Sequence, residues 1–101
     1  MPIIRVQFGE WDCIAEKLKY NNGRIAIQLI DDCDGAPVAT ATINIPAEQL
    51  AEDEAIIKDY DENKGMVQAL IDAGIITDFV RQVRSGYITA PIYKVNVGLF
   101  E

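Results

Sequence analysis

Histidine is missing from this 101-residue chain, and serine occurs once, at Ser85. Without histidine no Ser-His-Asp or Cys-His nucleophile can be assembled, and the side chain best suited to general base work near neutral pH is gone. Cysteine occurs twice, at Cys13 and Cys33. Two thiols and no imidazole would oblige a four-coordinate zinc site to recruit two carboxylates, an uncommon donor set. Two reduced packing cysteines are the expected reading, and a disulfide is the alternative. No apolar run approaches the roughly 20 residues that cross a bilayer. The opening "MPIIRVQFGEWD" has no basic stretch followed by an apolar one and a cleavage site, so a cytoplasmic location is expected. Cations are scarce as well: 9 Lys and Arg against 16 Asp and Glu, a net charge of −7. That balance argues against direct binding to nucleic acid, which needs clustered cations on phosphates, and against adhesion to an anionic membrane. No G-x-G-x-x-G or P-loop is present to cradle a phosphate. The expectation is a protein that is not an enzyme, with no catalytic residue, no cofactor and no metal.

What is present describes a folding unit. Half the residues are apolar and Gly and Pro are ordinary in number, so residues 1–101 are expected to form a single domain with one modest core. "IIRVQF" (3–8) reads as a strand ending in a Gly9-Glu10 turn. "WDCIAEKLKY" (11–20) and "RIAIQLID" (24–31) flank "NNG", a hairpin signal. A two-residue Asn22-Gly23 loop would oppose Leu18 to Ile27, Tyr20 to Ile25 and Ile14 to Asp31, and would set Cys33 opposite Asp12. "DDCDGAP" (31–37) is a turn. "VATATINIP" (38–46) alternates as one strand, with Ala39, Ala41, Ile43 and Ile45 inward and Val38, Thr40, Thr42 and Asn44 outward. "AIIKDY" (55–60) reads as a short strand.

"NKGMVQALIDAG" (63–74) carries Met66, Val67, Leu70 and Ile71 along one helical stripe, with Asn63 as the expected N-cap and Gly74 as the stop. The segment 75–86 has no clear period. "YITAPIYKVNVGLF" (87–100) is a late strand that Pro91 would confine to an edge or a bulge. The expected fold is α+β: a twisted, mainly antiparallel sheet of about five to six strands, with one principal helix (about 63–74) packed on one face.

The most distinctive stretch is 48–62, "EQLAEDEAIIKDYDE", where Glu48, Glu52, Asp53, Glu54, Asp59, Asp61 and Glu62 face one cation, Lys58. Its bland reading is a solvated face; its functional reading is an interaction surface for a basic partner. "DYDENKG" resembles a calcium loop but fails on position. Counted from Asp59, the required glycine at place 6 is Lys64, and the bidentate glutamate at place 12 is Leu70. Arg81 and Arg84, with Tyr87 nearby, form the one small basic feature. They could fork a carboxylate or phosphate or offset the acidic stretch. Trp11 could be core or interface.

"NNGRIAIQLID", "ATATINIP" and "EAIIKDYDENKGMVQALIDAGII" together resemble a family of small uncharacterised proteins of bacteria, their phages and other mobile elements, over about residues 15–95. The family name implies no activity and carries no assigned site residue; it implies an accessory protein of phages or mobile DNA. The expected function is therefore a non-enzymatic acidic interaction protein with a protein partner. Such a protein could antagonise a host nucleic-acid-targeting defence by presenting carboxylates where phosphates would sit. The alternatives are a small-ligand or ion-binding module, using a pocket between sheet and helix, and a homo-oligomeric structural or assembly protein joined through an edge strand.

Overall fold

The computed structural model describes residues 3–101. The class is α+β, as expected, but the strands form two antiparallel sheets of four instead of one sheet of five or six. The first sheet holds β1 (Arg5–Phe8), β2 (Trp11–Lys19), β3 (Ile25–Asp31) and β4 (Pro37–Thr40), in that order. The second holds β5 (Thr42–Ile43), β6 (Glu54–Ile57), β7 (Ile76–Ser85) and β8 (Ile88–Val95), in the order β5-β6-β8-β7. The helix α1 (Met66–Asp72) lies between β6 and β7 in the chain and packs against β1 and β7.

The division happens at Ala41. "VATATINIP" is not one strand: Ala41 donates its N–H to Ile27 O at 2.8 Å and accepts from Lys58 N at 2.8 Å, so the chain passes there from one sheet to the other. The expected alternation fails on its outward side, where Val38 packs on the main core beside Ala39, and the inward residues meet different layers. Ala39 and Ala41 join the main core, whereas Ile43 and Ile45 cover a smaller cluster. Thr42, expected to face outward, is buried because the second sheet closes over it. Its Oγ1 accepts from Ile27 N at 3.2 Å and lies 2.9 Å from Tyr20 Oη.

The main core joins Cys13, Ala15, Ile25, Ile27 and Leu29 of the first sheet to Ala55, Ile57, Ile76 and Val95 of the second, with Met66 and Leu70 of α1 between. On the opposite face of the second sheet, Ile56, Val83, Ala90 and Ile92 form the smaller cluster, under Ile43, Ile45 and Leu50. Covering on both faces explains why "AII" in β6 is a continuous apolar run without alternation.

The β2–β3 hairpin runs one residue out of the expected register. Leu18 opposes Ala26, Lys17 opposes Ile27 and Ile14 opposes Ile30. The loop is Asn21-Asn22-Gly23, closed by Tyr20 N to Arg24 O and Gly23 N to Tyr20 O, both 2.8 Å. Gly23 takes φ +84° at its third position, where a three-residue hairpin loop needs a left-handed residue. The shift pairs odd positions with odd ones, so Cys13 and Ala15 share a face with Ile25, Ile27 and Leu29. It also sets Cys13 opposite Asp31, not near Cys33; both thiols are free, Cys13 buried and Cys33 exposed.

Pro91 lies in a central strand, contrary to the edge expected of it. Val95 N donates to Asp53 O at 2.7 Å, so odd positions of β8 aim their N–H groups toward the β6 side. The β6–β8 ladder stops at Ile56↔Ile92, where the next donor would be the missing N–H of Pro91. The bulges expected near the proline fall in β7 instead, around Phe79 and Val80.

The helix is shorter than its sequence pattern. Asn63 does not cap it: Asn63 ends a 3-10 turn (Asp61–Asn63), is 2% exposed, and donates through Nδ2 to Thr40 O at 2.7 Å. The cap comes from further back, where Asp59 accepts from Gly65 N at 2.8 Å and from Val67 N at 2.9 Å, one carboxylate oxygen each. The C-terminal stop at Gly74 holds. Gly74 takes φ +76°, its N–H donates to Ile71 O at 3.0 Å, and Ile75 N donates to Leu70 O at 2.9 Å, the paired bonds of a Schellman motif.

Candidate acidic interaction surface

The seven carboxylates of residues 48–62 divide by task. Glu48 pairs with Arg81 at 2.5 Å. Glu54 Oε1 accepts from Ala51 N at 2.9 Å and closes the turn before β6. Asp59 caps α1, and Glu62 pairs with Lys58 one helical turn away in spacing. Glu52, Asp53 and Asp61 make no side-chain hydrogen bond or ion pair among the described residues. Glu52 and Asp61 are exposed and Asp53 is half-buried.

The chain just before the first two of these, residues 45–49, is braced by two arginines. Arg24 donates to the carbonyls of Ile45 (2.8 Å), Pro46 (3.4 Å) and Glu48, and Arg81 adds a bond to Gln49 O at 2.7 Å. Two arginines thereby tie residues 45–49 to β7 and to the start of β3. Arg24 carried no signal in the sequence, since an arginine beside a hairpin turn is ordinary until the fold brings a row of carbonyls to it. Asp61 sits at φ +53°, a left-handed conformation that aspartate tolerates better than most residues.

Lys58 lies 5.4 Å from the centroid of the Tyr60 ring. Its hydrogen bond to Glu62 raises the Lys58 pKa, and the same bond holds the Glu62 carboxyl below its ordinary range. The pair is therefore charged at neutral pH. What it contributes is lost as pH falls through the lowered value of Glu62.

Arg81, Arg84 and Tyr87 do not form a joint fork. Arg81 is engaged by Glu48 and Gln49 O, Arg84 is exposed and makes no ion pair among the described residues, and Tyr87 stands fully exposed in the β7–β8 turn. The offsetting role weighed for Arg81 is the one its geometry has. Trp11 is 53% exposed and opposes Phe8 at the mouth of the β1–β2 turn. Burial, with Asp31 and Asp12 nearby, pushes the Cys13 thiol above its ordinary pKa, so it is a packing group and a poor nucleophile.

Clefts open on the surface, two of them beside charged residues. One, of about 540 Å³, lies between the β1–β2 hairpin and α1 and includes Arg5 with its partner Asp32. The other, of about 620 Å³, is lined by Lys17 and Lys19 of β2 and by residues 50–54. The second places two unexpected lysines beside the acidic stretch. No group of three or more His, Cys, Asp or Glu among the described residues could hold a metal ion, and no helix there is long and apolar enough to cross a membrane. A scan against protein-family models found no match, and searches of curated proteins and of solved structures found none.

Proposed function

We propose that this is a non-enzymatic interaction protein that docks on a basic surface of another protein through Glu52, Asp53 and Asp61. The observation that carries this reading is the division of labour in the 48–62 stretch. Glu48, Glu54 and Asp59 are spent on bonds within the fold, while Glu52, Asp53 and Asp61, close to them in the chain, have no partner among the described residues. Carboxylates flanked by such bonds lose little conformational entropy on binding, so more of their attraction to a cationic partner survives as affinity. A chain of −7 net charge also draws a basic partner at long range, an effect that salt screens.

The resemblance to accessory proteins of phages and mobile elements supplies the setting. There, the partner is a host nucleic-acid-targeting factor whose phosphate-binding groove accepts the carboxylates in place of phosphates.

The test is capture of partners from a phage- or plasmid-bearing host extract by the wild-type protein and by the triple variant Glu52→Lys, Asp53→Lys, Asp61→Asn, asparagine being a residue that the left-handed backbone at position 61 accommodates. The variant should lose the partner yet melt within a few degrees of wild type, because none of the three side chains makes a hydrogen bond or ion pair among the described residues. The wild-type complex should come apart as salt rises. Retention of the partner by the variant, or elution insensitive to salt, overturns the proposal.

A further inference from the structure

The cleft between β2 and residues 50–54 is lined by charges of both signs, Lys17 and Lys19 from β2 and Glu52 and Asp53 from the segment that leads into β6. None of these four belongs to any of the three ion pairs among the described residues. Of the other charged groups in the lining, Arg24 is spent on backbone carbonyls and Glu54 on Ala51 N. Glu101 adds a carboxylate to the lining, and Ile25, Leu50 and Val97 supply its apolar part. Lys17 and Lys19 stand two apart on one strand, so both project from the same face of the sheet. Gln28 and Ala26, on the other face, cannot reach them.

Two unpaired lysines and three unpaired carboxylates around one partly apolar cleft suit a dipolar ligand, and they disfavour one of a single charge, which part of the lining would repel. At about 620 Å³ the cleft falls within the range of small-ligand sites. A sphere of that volume is about 10–11 Å across, and an extended chain advances about 3.3–3.6 Å per residue, so the ends of a tripeptide lie about 7–10 Å apart. A single amino acid falls well short of that span.

We infer that this cleft binds short peptides with free termini, of about three residues, the ammonium toward Glu52 and Asp53 and the carboxylate toward Lys17 and Lys19. The inference concerns a ligand separate from the protein partner proposed above, although the two share Glu52 and Asp53.

Amide chemical shifts of the isotope-labelled protein, followed while trialanine, N-acetyl-trialanine or trialanine amide is added, test it. Trialanine should shift Lys17, Lys19, Ile25 and the amides of 51–54, and blocking either end should weaken binding at least fivefold. The double variant Lys17→Glu, Lys19→Glu should lose trialanine yet keep the protein partner, since it leaves every docking carboxylate in place. The inference is overturned if trialanine causes no shifts up to its solubility limit, if the blocked peptides bind equally well, or if the double variant binds trialanine like wild type.

Discussion

Removing the Asp59 carboxylate should destabilise the whole molecule although the side chain is only half-buried. Asp59 reaches across six and eight residues to bind the N–H groups of Gly65 and Val67 at 2.8 and 2.9 Å. A seven-residue helix is too short to persist by its own hydrogen bonds, so α1 depends on this cap and on docking Met66 and Leu70, both fully buried, into the main core. In Asp59→Ala the exposed Gly65 N–H regains water at small cost, whereas the half-buried N–H of Val67 loses a charge-assisted bond. Caps of this kind are worth about 0.5–2 kcal/mol and bonds to charged groups about 1.5–3 kcal/mol. A loss of about 2 kcal/mol is therefore expected, near 10 °C in Tm for a domain of this length. Asp59→Asn keeps one acceptor but turns an amide N–H toward the second donor, and should lose about half as much. Urea unfolding at neutral pH gives the order wild type, Asn, Ala, and hydrogen exchange should show protection falling first at Gly65 and Val67. If Asp59→Ala unfolds within about 0.5 kcal/mol of wild type, or if Asn costs more than Ala, the remote cap does not support the helix.

Other perturbations probe the register, the core and the thiols. Gly23→Ala, forced into a left-handed conformation, should cost about 1–2 kcal/mol by urea unfolding, and an unchanged midpoint would mean that the loop is not the three-residue form. Leu70→Ala removes a fully buried side chain between the two sheets and should cost about 2–5 kcal/mol in the same assay. Cys33 should react with a thiol reagent in the native state and Cys13 only after unfolding; simultaneous labelling of both would contradict the burial of Cys13. Because the folded Cys13 pKa is raised, its contribution is full below the ordinary thiol value and lost as pH rises through the raised one. Cys13→Ala should flatten that alkaline decline in stability, and an unchanged slope above about pH 8.5 would assign the decline to another group.

Local signals in this chain were sound wherever the chemistry was local. The Gly9-Glu10 turn, the hairpin at "NNG", the Schellman stop at Gly74 and, of the apolar stripe Met66, Val67, Leu70 and Ile71, the buried Met66 and Leu70 occupy the places their residues suggest, whereas Ile71 is exposed. Misreadings began where a partner from another part of the chain decided. Asn63 has the chemistry of a cap, yet Thr40 O claims it and Asp59 takes the cap. The loop at Asn21-Asn22-Gly23 could close with two residues or three. Only packing Cys13 and Ala15 beneath the second sheet settles which, because a one-residue slip would carry them to the solvent face. The acidic stretch was plain in composition, but which carboxylates are structural and which are free depends on where Arg81, Ala51 and the start of α1 come to lie.

By itself the amino-acid sequence determined an α+β chain without histidine chemistry, with strong net negative charge gathered in residues 48–62. These properties follow from residue identity and short-range periodicity, which no folding event alters. Tertiary structure alone decided that "VATATINIP" passes at Ala41 from one sheet to the other, that Pro91 can sit in a central strand, and that Lys17 and Lys19 line one cleft with Glu52 and Asp53. Each of those depends on contacts between residues far apart in the chain, where burial and hydrogen-bond satisfaction outweigh the preferences of any single segment.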